Sequence, residues 1–345
     1  MKGVLDPTQF DTSNNNMDVS KKNETTKTTT TTRPTPEECF YVVHALGKLH
    51  PRTIARNMQR RQEQAEKQQQ SSTSTPMKLK KSGICGDTDS VADGVIGTIL
   101  SQNTTSKNST HAFRQLKQTF PTYDTLMALP KEKAISKLEN AIRSGGLAQT
   151  KAQRIYDMLS TVQDEQGVPS LEYLRSYTST AAIKKELSRF KGLGPKTISC
   201  VLLFTMGMEE FPVDTHVLRI SKQLGWIGTN TSREAAYEHL NDFVPGQLKL
   251  DLHCLLIDHG KQCHRCAARG KPQFPPRDGT KLDCPLVGGD IRGKAKKLIQ
   301  ALLECNGSKR GGGEEGSAEN VVVKKETEDN HVGNKKRKVV VKSEE

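Results

Sequence analysis

The chain has 345 residues, of which 33% are hydrophobic, and it carries a formal net charge of +13 at pH 7. A positive charge of this size favours a polyanionic partner, and nucleic acid is the first candidate. No stretch approaches the roughly 18 consecutive apolar residues that would span a bilayer, and residues 1–9 lack the apolar run of a secretory signal. We therefore do not expect a membrane protein.

Both ends of the chain are polar, and we expect them to be disordered. Residues 1–36 are rich in Asn, Thr and Lys, and residues 306–345 mix acidic and basic runs. The basic cluster Lys335, Lys336, Arg337 and Lys338 is typical of a nuclear-import signal, with a solvated charge run as the alternative. We therefore expect a nuclear protein.

A short amphipathic segment follows the first tail. Phe40, Val43, Leu46 and Leu49 recur at helical spacing, which predicts an N-terminal helix within residues 37–58 that joins the core. Residues 59–83 are rich in Gln, Ser, Thr and Lys and predict a polar, basic linker.

Amphipathic segments of helical length fill residues 84–290, with little strict alternation of polar and apolar residues. The pattern predicts an all-α body, followed by a C-terminal helix over 291–305. The candidate helices of the body are 90–101, 107–119, 123–128, 131–143, 150–165, 171–177, 181–190, 195–206, 215–224, 232–243 and 247–260.

A glycine-rich turn lies between two of these helices, within residues 181–206. We expect Gly192 and Gly194 to take positive φ and to approach another surface closely, Leu193 to plug the turn, and Pro195 to open the second helix. The amides of such a turn and of the helix start can grip a phosphate without reading sequence. The candidate DNA-binding residues of this segment are Lys191, Gly192, Leu193, Gly194 and Thr197.

The segment 190–197 resembles the helix-hairpin-helix of the endonuclease III (HhH-GPD) DNA glycosylase superfamily, and residues 211–217 resemble its downstream catalytic motif. Residues 99–105 and 145–152 extend the resemblance, which covers roughly 84–286, and residues 219–226 are similar to the plant DEMETER-type glycosylases. The resemblance implies a two-lobed helical fold with a DNA-binding cleft between the lobes.

Within that family, a lysine at the position of Lys196 implies a bifunctional enzyme, and Asp214 lies in the downstream catalytic motif. An amine that attacks C1′ of the sugar captures the carbon on which positive charge develops, and the imine that forms permits strand cleavage by β-elimination. Lys196 lies at the positive end of a helix dipole, which disfavours its ammonium form. Asp214 would stabilise the oxocarbenium-like sugar, although an ordinary helix N-cap is the alternative reading.

Gln102 and Asn103 are candidates for the side chains that fill the gap left by a flipped nucleotide. They follow an apolar run, and the matching loop of the family lies against the minor groove. The alternative is that the two amides cap or connect neighbouring helices.

Cys263, Cys266 and Cys284 lie where many relatives carry four cysteines that bind a four-iron, four-sulfur cluster. The spacing here differs from that pattern, and Cys254 sits in an apolar run typical of a helix core, so we expect no cofactor. A zinc site that adds His264 or His259 to the three cysteines stays open, because a Cys-x2-Cys pair is a common half-site.

Three functions remain open. The first choice is a monomeric repair glycosylase with AP-lyase activity (strand cleavage at apurinic or apyrimidinic sites) that removes an oxidised pyrimidine from double-stranded DNA. The second is a 5-methylcytosine glycosylase, and the third is a non-catalytic helix-hairpin-helix module that grips DNA.

Overall fold

The computed structural model describes residues 33–69, 88, 90–275, 281–288 and 290–307. Within these ranges the chain is helical and contains no strand, which confirms the predicted all-α class. The helices are α1 (Pro36–Leu49), α2 (Pro51–Gln69), α3 (Val91–Ser101), α4 (Ser106–Thr119), α5 (Tyr123–Met127), α6 (Lys131–Ile142), α7 (Ala148–Gln166), α8 (Thr180–Ser188), α9 (Pro195–Phe204), α10 (Thr215–Gln223), α11 (Arg233–Phe243), α12 (Gly246–Gln262) and α13 (Ile291–Gly307).

Side-chain caps fix where several helices begin. Thr35 forms a capping box with Glu38 at the start of α1, and Ser90, Thr105 and Ser232 each accept a hydrogen bond from the amide three residues on. Each cap satisfies an amide that has no partner inside the helix and contributes about 1 kcal/mol.

The first hydrophobic core is built by α3 to α9. Ile96, Leu116, Leu138, Ile155 and Leu187 are among its fully buried side chains. Two 3₁₀ segments, Arg143–Gly145 and Glu172–Ser176, connect helices around this core.

The second hydrophobic core is built by α1 and by α10 to α13. Leu46, Phe211, Val217, Trp226 and Leu252 are buried in it. The two cores confirm the two-lobed helical fold expected from the sequence.

Helix α9 joins the two lobes. Ile198, Val201 and Leu202 lie in the first core, while the opposite side of the helix packs against Cys254 of α12 through Cys200, Leu203 and Phe204. Cys254 is buried there, as its apolar surroundings in the sequence indicated. Any residue at the start of α9 is therefore positioned by both lobes.

The polar segment that was expected to be a linker from residue 59 is instead helical as far as Gln69, as the second half of α2. The first ordered contacts also begin earlier than expected, because Arg33 forms an ion pair with Glu38 at 2.6 Å. The rest of both predicted tails, the basic cluster included, and the segment 70–87 lie outside the described residues.

The chain divides into two units by its internal contacts, Met1–Leu302 and Leu303–Glu345. The first unit contains both cores, and the second is described only over 303–307, the end of α13. Among the described helices, none is both long enough and apolar enough to cross a membrane.

Candidate active site

The turn between α8 and α9 takes its shape from one of its two glycines. Gly192 has φ +89°, and a Cβ at this position would lie 2.8 Å from the side chain of Arg154. Gly194, by contrast, has an extended backbone with φ −82°, so the expectation of positive φ at both glycines was wrong for this one. A Cβ at Gly194 would meet no atom within 4 Å, which leaves the turn open for a close approach from outside.

Leu193 is buried in the first core, and its amide bonds to the carbonyl of Phe190 at 3.2 Å. It therefore plugs the turn as expected, while Lys191 beside it is exposed to solvent.

Lys196 is the second residue of α9 and is partly exposed. Gly194 is the N-cap and offers no side-chain acceptor, so the amides at this helix start have no capping side chain. The result is a positively polarised helix end with a lysine in its first turn.

Asp214 is the N-cap of α10. Its Oδ1 accepts hydrogen bonds from the amides of His216 and Val217, each at 2.8 Å. These two bonds fix the carboxylate at the start of the helix. Both sequence readings, cap and site residue, are compatible with this geometry.

The segment that leads to Asp214 is held at three points. The buried carboxylate of Glu210 accepts hydrogen bonds from Tyr237 at 2.6 Å and from Ser199 at 3.2 Å, and it pairs with Lys184 at 2.5 Å. The side-chain oxygen of Asn241 accepts from the amide of Phe211 at 2.9 Å.

His253 on α12 supplies the third point. Its Nδ1 donates to the carbonyl oxygen of Pro212 at 2.8 Å. Burial lowers the pKa of His253 to about 4, and the nearby charges of Asp214 and Lys196 raise and lower this pKa respectively. The charges of the two predicted catalytic residues, one from each lobe, thus both act on one buried, neutral imidazole.

Two loops lie beside the turn: residues 102–105 after α3, and residues 143–147 before α7. The side-chain amide of Gln102 donates to the carbonyl of Gly192 at 2.9 Å and to the hydroxyl of Thr197 at 3.1 Å. Thr197 is buried, so it holds Gln102 in place rather than facing solvent. Asn103 is exposed and has φ +53°.

The buried ammonium of Lys151 ties these loops together. It donates to the carbonyls of Leu100, Gln102 and Gly145 at 2.8 to 2.9 Å. In the second loop Leu147 has φ +51° and is 59% exposed, which is unusual for a large apolar side chain. Sequence reasoning missed Leu147 because neither its backbone conformation nor its exposure is visible in a residue pattern.

The cysteine segment folds back onto the end of α12. Cys263, Cys266, Cys284 and His259 are buried, and their potential ligand atoms all lie within 4.8 Å of one another. The structure thus adds His259, and not His264, to the three cysteines. Hydrogen bonds from the thiols of Cys266 and Cys284 lower the pKa of Cys263.

Comparisons with known proteins show relatives over most of this chain. A family model described as HhH-GPD superfamily base excision DNA repair protein matches residues 96–246. A putative DNA glycosylase of Arabidopsis thaliana is 44% identical over 260 residues, which cover 74% of this chain and 86% of the relative. Endonuclease III of Sulfolobus acidocaldarius is 31% identical over 196 residues, covering 54% and 83%.

A solved structure of endonuclease III in a non-covalent complex with DNA has a similar fold. The TM-score is 0.50 at 21% sequence identity, over 78% of this chain and 100% of that one.

Proposed function

This chain belongs to the HhH-GPD superfamily of base excision DNA repair proteins and is a DNA glycosylase of endonuclease III type, and we propose that it is bifunctional and also cleaves the strand as an AP lyase. Its substrate under this proposal is an oxidised pyrimidine in double-stranded DNA.

Lys196 is the proposed nucleophile. Its unprotonated amine forms a bond to C1′ while the bond from C1′ to the base breaks, and the electron pair leaves with the base, which takes up a proton. The attached nitrogen gives up a proton, and the bond from C1′ to O4′ then breaks with its electron pair going to O4′, which takes up a proton. The product is a protonated imine between Lys196 and the opened sugar. Loss of a C2′ proton then expels the 3′ phosphate by β-elimination, and hydrolysis of the imine regenerates the lysine.

Asp214 has a separate proposed role. Positive charge develops on the sugar as the glycosidic bond breaks, and a fixed carboxylate beside it lowers the energy of that state. The two helix amides on Oδ1 hold the carboxylate rigid, so no reorganisation is needed during the reaction.

The turn and the two loops are the proposed DNA contacts. The open helix end at Gly194 can accept a phosphate, and Lys191 adds a positive charge. Asn103 and Leu147 are exposed on neighbouring loops and can enter the base stack when the target nucleotide rotates out, while Gln102 supports the turn.

The proposed location is the nucleus, with the basic cluster 335–338 as the import signal.

The observation that carries this proposal is the convergence of Lys196 and Asp214 on the surroundings of His253, which donates to the carbonyl of Pro212 just before Asp214 and whose imidazole lies within reach of both charges. A module that only bound phosphates would need the turn but would have no use for a rigid carboxylate at the start of the following helix. The convergence therefore favours an enzyme over a non-catalytic module.

The sequence motif that first suggested the 5-methylcytosine alternative is the segment 219–226. Trp226 is 2% exposed and packs in the second core, so this part of the resemblance concerns packing and not the surface that would contact a base. Oxidised pyrimidines therefore remain the first choice.

The test is reduction with borohydride during reaction with duplexes that carry thymine glycol, 5-methylcytosine or an abasic site. The wild-type chain should form a covalent adduct with the thymine glycol and abasic duplexes, because borohydride reduces the imine to a stable amine. Lys196→Gln should form none while retaining DNA affinity within a few-fold, since phosphate contacts dominate binding.

The matched control is Lys137→Gln, which changes an exposed lysine on α6 and should form the adduct like wild type. An adduct in Lys196→Gln would place the nucleophile elsewhere, and an adduct only with 5-methylcytosine and abasic duplexes would select the demethylase.

A further inference from the structure

We propose that His259, Cys263, Cys266 and Cys284 bind one structural zinc ion, at the place where relatives carry an iron–sulfur cluster. The four side chains come from the last turn of α12, the loop after it and the segment 281–288. All four are buried, and their ligand atoms converge within 4.8 Å.

The geometry excludes a four-iron, four-sulfur cluster. Such a cluster needs four thiolates, each bound to a different iron, so its ligand sulfurs are held apart by the cluster between them. Here the sulfurs of Cys266 and Cys284 lie 3.6 Å apart, and the fourth ligand position is taken by an imidazole. Ligand atoms that all lie within 4.8 Å of one another suit a single ion better than a cluster.

Two of the separations fit zinc closely, and the others stay within 4.8 Å, so small side-chain shifts bring all four atoms to bonding distance. Zinc–sulfur bonds of about 2.3 Å in a tetrahedron give sulfur–sulfur edges of about 3.8 Å, and the shorter zinc–nitrogen bond gives slightly shorter edges. The observed separations are 3.6 Å between the sulfurs of Cys266 and Cys284 and 3.3 Å between Nε2 of His259 and the sulfur of Cys284. Three thiolates and one imidazole form a common structural zinc set, and four protein ligands leave no open position for catalysis.

The surrounding contacts orient the ligands. Nδ1 of His259 lies 3.1 Å from Nε2 of His50, a buried side chain at the end of α1, so Nε2 of His259 is directed at the sulfurs. Arg219 of α10 donates to the carbonyl oxygen of Cys266 at 2.8 Å. The ion would therefore link α1, α10, α12 and the segment 281–288, and its role would be to hold the second lobe together.

The first measurement is the metal content of the full-length chain, purified without added metal or chelator from cells grown with both iron and zinc. We expect one zinc per chain, negligible iron and no broad visible absorption. Stoichiometric iron with visible absorption would overturn the proposal, and so would metal-free protein or a disulfide between Cys266 and Cys284 in freshly prepared chain.

Variants then assign the ligands. Cys263→Ser and Cys284→Ser should lose most of the zinc. Cys254→Ser, which changes a buried thiol within α12 away from the four ligands, should keep it. If the ligand variants fail to fold, Co²⁺ replacement in the wild-type chain decides the matter. Strong visible bands of tetrahedral Co²⁺ with thiolate charge transfer support the site, and a weak octahedral spectrum contradicts it.

Discussion

The helix cap and the charge of Asp214 can be separated by substitution, which makes this residue a sharp test of the proposed chemistry. Asp214→Asn retains an acceptor for the amides of His216 and Val217, so the free energy of unfolding should change by less than about 0.5 kcal/mol. Base release should nevertheless slow by roughly 100-fold or more, because the negative charge next to the sugar is lost. Single-turnover base release and urea unfolding measure the two effects.

Asp214→Ala is the matched variant, since it removes both the charge and the cap. Its rate of base release should match that of the Asn variant, and its free energy of unfolding should be about 1 kcal/mol lower than that of the Asn variant. If Asp214→Asn releases base at the wild-type rate, the residue is a helix cap alone.

Leu147 offers a second test at the residue scale, because its side chain is 59% exposed and contributes little to the core. Leu147→Ala should therefore change the free energy of unfolding by less than about 0.5 kcal/mol. Excision from a fully paired duplex should slow several-fold, whereas cleavage at an abasic site placed in a single strand should not change, because no stacked base has to be displaced there.

The control for Leu147 is Val168→Ala, a 52% exposed apolar residue beyond the other end of α7. Equal effects of the two substitutions on duplex excision would remove Leu147 from the proposed DNA surface.

Individual site residues differ in how far the sequence could predict them. Lys196 and Asp214 stand in short motifs whose neighbours are equally characteristic, so they could be chosen without a structure. His253 could not, because a histidine in the apolar run 252–256 looks like an ordinary core residue and its contact with Pro212 spans 41 positions. Gly194 was misjudged because a Gly-x-Gly turn does not reveal which of its glycines has positive φ.

At the scale of elements, α2 shows how a very polar helix can dock on a protein. Its contacts to α12 are polar and recur along one face. Thr53 donates to Asp258 at 2.7 Å, Asn57 donates to Asp251 at 2.8 Å, and Arg61 pairs with Asp251 at 2.8 Å. Because these contacts need no apolar stripe, the hydrophobic pattern that identified the other helices indicated a linker here.

Among the side chains on this face of α2, Asn57 should lower the free energy of unfolding most when it is removed. It is fully buried, and Asn57→Ala would leave the buried carboxylate of Asp251 with one hydrogen bond fewer. We expect unfolding to require roughly 1–3 kcal/mol less free energy, as measured in urea.

Gln59→Ala is the matched control for Asn57. This exposed amide donates along its own helix to Glu63 at 2.9 Å, and its removal should lower the free energy of unfolding by less than about 0.5 kcal/mol. Equal costs for the two substitutions would mean that α2 contributes helix propensity but no docking energy.

At the scale of the whole molecule, the candidate site depends on the relative placement of the two lobes. Lys196 starts the helix that joins the cores, and Asp214 starts a helix of the second core. Glu210 fixes their relationship, because it contacts Lys184 on α8, Ser199 on α9 and Tyr237 on α11. The sequence predicted the helices and the two lobes, but these long-range polar contacts have no periodic signature.

The proposed zinc ion should stabilise one lobe selectively, because its ligands and their immediate partners all belong to the second core. Removal of the metal with a strong chelator should therefore speed amide hydrogen exchange in α10 and in the last turns of α12. Exchange in α4, α6 and α7 of the first core should change little, which provides a control inside the same molecule.

Cys263→Ser without chelator should show the same pattern of faster exchange. Uniform acceleration in both lobes would mean that the ion supports global folding, and unchanged exchange in α10 and α12 would mean that the four side chains hold the lobe together without a metal.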